Sequence, residues 1–234
     1  MEDQLTIRTK IGNWLGSNLA QWLVILGFVI LTFWKDDLSY FFGLAFVLLF
    51  LWAKRWDWKL IGLYKPESWK KVWLQAVVIS MLLLILVDIM FAPVLEFLFG
   101  GQPDVSAFDS IRGNFINYII LILFMWVVAA FGEEFVYRGL LVKRLGILLG
   151  NTNAAFWIAV LCSSVLFGIA HQYQGISGMV STGLVGFIFG VIFMKSKNRL
   201  WLTILTHGVY DVIGITLIYL DIDKEVFNLL NNLI

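Results

Sequence analysis

Apolar residues run through the chain in long stretches, separated by short polar or charged segments. A helix needs about 20 residues to cross the hydrocarbon core of a bilayer, and seven stretches reach or approach that length. The first two are short by this rule, and the charges at 35–37 predict a tight hairpin between them. The pattern predicts an all-α fold, a polytopic integral membrane helical bundle of about seven transmembrane helices. The predicted spans are 19–34, 38–53, 72–95, 114–137, 153–171, 176–194 and 200–220.

The composition supports this interpretation. Hydrophobic residues make up 60% of the 234 residues and charged residues 14%, whereas soluble domains average about 45–50% and 25%. A water-soluble fold is therefore excluded. The single cysteine, Cys162, lies in an apolar stretch, which excludes a disulfide framework and a thiolate metal cluster. No internal repeat, low-complexity tract or linker divides the chain, so we expect one integral membrane domain over 1–234.

Positive charges alternate between the two sides of the predicted membrane. Lys and Arg collect in cytoplasmic loops. Of the 17 Lys and Arg residues, 14 fall in the amino-terminal tail and every second loop, and three in the other loops and the carboxyl-terminal tail. We therefore predict a multi-pass protein of the cell membrane with its amino terminus inside and its carboxyl terminus outside. The first span ends in FWKDD without a small-residue cleavage site, so we expect a retained anchor.

The loop at 54–71 combines six Lys and Arg residues with the tryptophans Trp56, Trp58 and Trp69. Aromatic residues of this kind concentrate at the membrane interface. A basic, aromatic loop also occurs in nucleic-acid-binding proteins, but its place between two spans favours membrane anchoring. The net charge of +1 gives no basic field over the whole protein. We expect contact with membrane lipid and no nucleic-acid partner.

Ionisable residues within the apolar stretches are the strongest functional signal. Each costs roughly 2.5–3.5 kcal/mol to insert. The two histidines of the chain are both among them, and one lies in the run 145–194, which has no Asp, Glu, Lys or Arg. We expect most of these residues to share a site, whereas Asp88, near the outer end of its span, is expected to snorkel or to lie at a helix end. The full set is Asp88, Glu133, Glu134, Arg138, His171, His207 and Asp211.

The first cluster is FGEEFVYRG at 131–139. Glu134 and Arg138 are four residues apart and can pair on one helix face. Glu133 then stays unpaired, and a carboxylate held beside a second carboxylate away from bulk water has the raised proton affinity that a general base requires. The alternative is a helix end at which charged residues meet lipid headgroups.

The second and third clusters are FGIAH, ending at His171, and HGVYD, from His207 to Asp211. The spacing of His207 and Asp211 lets both address one ligand, as paired helical side chains do when they bind a metal. Taken singly, each histidine could instead be hydrogen-bonded to a neighbouring helix. The topology puts Glu133 toward the inside, His207 about 10 Å from the inner face and His171 near the outer end. If the three clusters share one site, the turn at 172–178 must lie within the membrane as a re-entrant segment, and we therefore predict such a turn.

The three clusters, EEFVYR, FGIAH and HGVYD, resemble in order the signature of the CAAX-processing and bacteriocin-processing (CPBP, or Abi) family of intramembrane proteases. The resemblance covers about 105–215 and implies peptide-bond hydrolysis in the membrane, with water activated by Glu133 and His171. It places the family's second glutamate at Glu134, its arginine at Arg138 and its last histidine at His207. Asp211 stands where many members have asparagine.

The resemblance leaves the mechanism open, because the family is described both as zinc-dependent and as a metal-free glutamate protease. An ionised aspartate would repel an oxyanion, whereas an asparagine donates to it. Asp211 is therefore either protonated or a metal ligand. In the second case His171, His207 and Asp211 would hold Zn²⁺ in an open three-ligand site.

The resemblance also implies a peptide or membrane-anchored protein as substrate, such as a leader peptide, a bacteriocin or pheromone precursor, or a prenylated CAAX-type carboxyl terminus. The alternative is a non-catalytic membrane immunity or binding protein of the same fold. Retention of both glutamates and both histidines favours an enzyme, since a binding protein does not need all four. An ion or proton carrier would distribute such groups along a path.

Overall fold

The computed structural model describes residues 6–223, apart from the side chains of residues 36 and 37. All regular secondary structure in this part of the chain is helical, which confirms the predicted all-α membrane bundle. The hairpin between the first two predicted spans is a single extended residue, Lys35, between two helices. Lys224 and the carboxyl terminus, which entered the topology prediction, lie outside the described residues.

Eight helices follow one another through residues 6–223, and short 3₁₀ turns form parts of the connections. Five of the helices begin at a Ser, Thr or Asn whose side chain accepts a hydrogen bond from the backbone N–H three residues on, a common way to start a helix. The helices are α1 (Ile7–Leu15), α2 (Asn18–Trp34), α3 (Asp36–Ala53), α4 (Trp69–Phe99), α5 (Phe115–Leu148), α6 (Asn153–Ile169), α7 (Gly175–Lys195) and α8 (Leu200–Tyr219).

Each predicted span coincides with a helix, but the helices differ in their ability to cross a bilayer. Within the described residues α4, α5, α7 and α8 are long and apolar enough, and α1 with α2 would make a fifth span bent by 65°. The apolar part of α3 and the whole of α6 are shorter, at 10–17 residues. The protein is therefore a multi-pass integral membrane protein, and the number of seven spans stays a prediction.

Helix α5 lies at the centre of the bundle and packs against α3, α6 and α8. Helices α6 and α7 form a close hairpin, and α4 packs along α8. The hairpin depends on small residues, because a Cβ on Gly168 would lie 2.5 Å from the carbonyl oxygen of Met179. Small residues of this kind let membrane helices approach closely. This packing places α5, α6 and α8, which carry the three motifs, next to one another.

The basic loop folds under one end of the bundle. The backbone N–H of Leu200, the first residue of α8, donates to the carbonyl of Gly62 over 2.9 Å. The Lys143 ammonium donates to the carbonyl of Lys59 over 2.7 Å. The five tryptophans in and beside the loop are 37–45% exposed, as expected of residues at a membrane interface. The start of α8 is therefore covered by protein.

Residues 100–114 cover the other end of the bundle, and we name them the end loop. The Asp104 N–H donates to the carbonyl of Gln174 over 2.9 Å, and the Ser177 hydroxyl donates to the carbonyl of Gly101 over 2.5 Å. Arg112 pairs with Asp223 over 2.6 Å. Hydrogen bonds to Asp223 and to Asp109 raise the pKa of Arg112 above its ordinary value. The end loop is thus fastened to the α6–α7 turn, to α7 and to the segment after α8.

Candidate active site

The first motif lies in a widened part of α5. Residues Met125–Leu145 form a π-helix, in which each backbone N–H bonds to the carbonyl five residues back. Such wide turns are rare and are frequently found at functional sites. The helix runs on to Leu148, so Glu133 lies in its middle. That Glu133 lies toward the inside of the membrane stays a prediction; its side chain is 18% exposed, whereas those of Glu134 and Arg138 are fully buried.

Glu134 and Arg138 form the ion pair that their spacing predicts. Nη1 of Arg138 lies 2.7 Å from Oε1 of Glu134, and neither side chain is exposed. Nη2 of Arg138 donates to the carbonyl of Gly186 over 2.8 Å. The guanidinium also lies 4.9 Å from the centre of the Phe167 ring and 5.2 Å from that of Phe189. Together these contacts offset the cost of burying the cation.

His207 connects the carboxylates of the site. Its Nδ1 lies 3.0 Å from Oε1 of Glu134, and its Nε2 lies 3.5 Å from Oδ2 of Asp211 and 3.8 Å from Oε2 of Glu133. We assign a proton to Nδ1, because a carboxylate can only accept. Glu134 therefore binds both Arg138 and His207, and it turns Nε2 toward Glu133 and Asp211.

His171 follows the end of α6 and is oriented in the same way. Its Nδ1 lies 2.8 Å from the carbonyl oxygen of Phe167, so the proton belongs on Nδ1 and the lone pair on Nε2. The Phe167 ring lies 4.8 Å from the His171 ring and 6.2 Å from the His207 ring, between centres. Both histidines thus use Nδ1 as an anchor and keep Nε2 for other contacts.

Glu133 and Asp211 each carry an oxygen without a hydrogen-bond partner among the described residues. These atoms are Oε2 of Glu133 and Oδ2 of Asp211, and both are buried. The side chains are 18% and 14% exposed. A buried carboxylate oxygen without a donor is costly, and both oxygens lie on the Nε2 side of His207. The arrangement therefore offers acceptors for a proton.

One cavity connects these groups. It has a volume of about 790 Å³ and is lined by Glu133, His171, His207 and Asp211. Its walls include apolar residues of α4 and α5, and it extends to the end loop at Arg112. Four of the five predicted catalytic residues thus lie on one surface. The fifth, Glu134, is fully buried and binds Nδ1 of His207, so it does not line the cavity.

The predicted site residues, from Glu133 to Asp211, fall within one stretch of chain that matches a known family. Residues 115–213 match the family described as type II CAAX prenyl endopeptidase Rce1-like. The stretch is similar to that family, and we call it the Rce1-like stretch. The resemblance expected from the three motifs is therefore confirmed over these residues, and the Rce1-like family is a protease family.

The match is limited to the second half of the bundle. Helices α1 to α4 and the end loop precede the Rce1-like stretch. A comparison with curated proteins found no match, and neither did a comparison with solved structures. The functional roles of individual residues therefore have to be argued from the site itself.

The predicted metal ligands line the cavity without forming a metal site. Among the described residues, no group of three His, Cys, Asp or Glu side chains could hold a metal ion. The Nδ1 atoms of His171 and His207 are bound to Phe167 and Glu134, which leaves one nitrogen on each ring. The residues in this arrangement do not fit a zinc ion. The zinc requirement stays a prediction.

The turn at 172–178 contains a single 3₁₀ turn, Gln172–Gln174, which leads directly into α7 at Gly175. Tyr173 and Gln174 line the cavity together with His171. The three motifs therefore reach one cavity, and the re-entrant course of the turn within the membrane stays a prediction.

Asp88 and Tyr210 form a pair that the sequence reasoning missed. The Tyr210 hydroxyl donates to Oδ2 of Asp88 over 2.7 Å, and both residues line the cavity. Asp88 lies in the π-helical part of α4, Leu84–Phe91. The expectation of a snorkelling or helix-end residue was therefore wrong. The charge of Asp88 within an apolar stretch was a signal that this residue has a special role. Tyr210 could not be recognised as its partner, because it lies 122 residues away in the sequence.

Proposed function

We propose that the protein is an intramembrane endopeptidase that hydrolyses a peptide bond in a membrane-associated peptide. The observation that carries this proposal is that Glu133, His171, His207 and Asp211 line one cavity among membrane helices. The match of residues 115–213 to the Rce1-like family supports it independently.

Glu133 acts as the general base in this proposal. Its side chain lines the cavity and is 18% exposed, so the carboxylate can accept a proton from a water molecule in the cavity. The Nε2 lone pair of His171 orients the same water by accepting its second O–H. The hydroxide that results forms a C–O bond with the carbonyl carbon of the substrate, and the carbonyl oxygen takes the negative charge.

Asp211 and His207 stabilise that charge. Oδ2 of Asp211 and Nε2 of His207 are 3.5 Å apart without a hydrogen bond between them, and in this proposal one of the two groups carries a proton. That proton supplies a hydrogen bond to the oxyanion. The C–N bond then breaks, and Glu133 returns its proton to the departing amine. The step needs no further reactant besides water.

A prenylated CAAX-type carboxyl terminus is the substrate class that we propose first. The description of the matching family names a CAAX prenyl endopeptidase. The cavity walls supplied by α4 and α5 carry Leu84, Val87, Phe124 and Val128, which suit an isoprenoid chain. A leader peptide and a bacteriocin or pheromone precursor are the other substrates to test.

The test uses the full protein in lipid vesicles with three peptides: a farnesylated CAAX peptide, the same peptide without the lipid, and a leader peptide. We expect Glu133→Gln to abolish cleavage without lowering thermal stability, because removal of a buried charge does not raise the cost of insertion. His171→Ala and His207→Ala should also be inactive. Glu67→Gln is the matched control, since the Glu67 side chain is 91% exposed.

Cleavage by Glu133→Gln at the wild-type rate would contradict the proposal. So would a wild-type protein that cleaves none of the three peptides. Binding of a peptide without cleavage, unchanged in Glu133→Gln, would support the immunity or binding protein instead.

A further inference from the structure

Tyr40 lies beside the proposed base although it belongs to α3, outside the Rce1-like stretch. Its hydroxyl donates to the backbone carbonyl of Val128 over 3.0 Å, across 88 residues of sequence. Tyr40, Val128 and Glu133 line the same cavity. A tyrosine in an apolar stretch is common, so the sequence does not indicate that this residue has a role in the site.

The carbonyl that Tyr40 binds closes the helical turn that ends at Glu133. Val128 and Glu133 are five residues apart in the π-helical segment, and in a π-helix the carbonyl of one residue accepts from the N–H five residues on. A carbonyl oxygen has two lone pairs and can accept from both donors. The Tyr40 hydroxyl therefore binds the backbone group that sets the position of Glu133.

Gly132 provides the space for this contact. A Cβ built on Gly132 would overlap the Tyr40 hydroxyl oxygen and lie 3.1 Å from its Cζ. A glycine inside a helix is less favourable than an alanine by about 1 kcal/mol, so this position carries a cost. The close approach of Tyr40 accounts for it. The residue directly before Glu133 is thus fitted to Tyr40.

We propose that Tyr40 is a positioning residue for Glu133. The proposal rests on the proposed function, in which Glu133 is the general base. The hydroxyl holds the wide turn 128–133 open, so that the carboxylate of Glu133 stays near Nε2 of His207 and its side chain lines the cavity. Without it, the turn can tighten toward the ordinary four-residue pattern and carry the carboxylate away from the water. A displacement of about 1 Å can reduce the rate about 100-fold.

The first experiment compares Tyr40→Phe with Tyr118→Phe in the full protein. Tyr118 is the matched control, because its hydroxyl bonds to Thr216 over 3.0 Å and it does not line the cavity. We expect Tyr40→Phe to lower kcat about 10- to 100-fold with little change in KM. Tyr118→Phe should change neither.

The second experiment measures thermal stability and needs no substrate. Gly132→Ala should destabilise the protein through the overlap with the Tyr40 hydroxyl, and Tyr40→Phe should restore part of that loss in the double variant. If Gly132→Ala destabilised the wild-type protein and the Tyr40→Phe variant equally, the contact between Gly132 and the Tyr40 hydroxyl would be overturned. Wild-type kcat in Tyr40→Phe would overturn the positioning role alone, whereas the absence of Glu133-dependent cleavage would overturn the proposed function.

Discussion

Arg138 allows the most direct test of the buried charges in the site. In Arg138→Met the guanidinium is replaced by an apolar side chain that fills much of the same space. Glu134 then loses a 2.7 Å ion pair while its own side chain stays unexposed. Its remaining contact in the described part of the chain is Nδ1 of His207, 3.0 Å away. The variant therefore leaves a buried carboxylate with half of its former partners.

The expected loss is about 3–5 kcal/mol, the cost of breaking one side of a buried pair. For a chain of this length that corresponds to a fall of roughly 6–20 °C in Tm. The value can be measured as the Tm of the purified protein in detergent, together with its abundance in the membrane. Arg199→Met is the matched control, since the Arg199 side chain is 42% exposed and its ion pair is 3.6 Å long. An exposed pair contributes about 0–1 kcal/mol.

The double variant Glu134→Gln, Arg138→Met separates charge from packing. It removes both buried charges and should be more stable than Arg138→Met alone, because the penalty comes from the carboxylate left without a cation. A double variant that is less stable than the single one would refute the reasoning. Unchanged Tm in Arg138→Met would refute it as well.

Two further changes test the acidic residues of the cavity. Asp211→Asn should retain cleavage that a chelator does not reduce, since an amide can also donate to the oxyanion; loss of activity that added zinc restores would support the predicted metal site. Tyr210→Phe should lower the free energy of unfolding by about 1–3 kcal/mol, because Asp88 loses its donor. The double variant Asp88→Asn, Tyr210→Phe should recover part of that loss in thermal unfolding. Equal Tm values for Tyr210→Phe and the double variant would count against the hydrogen bond between Asp88 and Tyr210.

Local spacing predicted most of the site. Glu134 and Arg138 are four residues apart on α5, and the structure pairs them. His207 and Asp211 have the same spacing on α8, and they approach within 3.5 Å. These contacts follow from helix periodicity, which a sequence displays directly.

Contacts between distant segments could not be predicted in this way. Tyr40 and Val128 are 88 residues apart, and Tyr210 and Asp88 are 122 residues apart. Such pairs depend on which helices become neighbours, and hydropathy does not specify this. The predicted span ended at 137, whereas α5 runs to Leu148, because hydropathy does not show that Arg138 is buried.

The position of Arg138 on the same helix as Glu134 bears on how the protein enters the membrane. The ion pair lies within α5, so it can form as soon as this segment has been synthesised, before α6, α7 and α8 exist. The segment then enters the bilayer with its arginine already neutralised, which lowers the cost of insertion. The contacts to Gly186 and His207 are added only when the later helices arrive. The order of synthesis therefore matches the order in which the buried charges gain their partners.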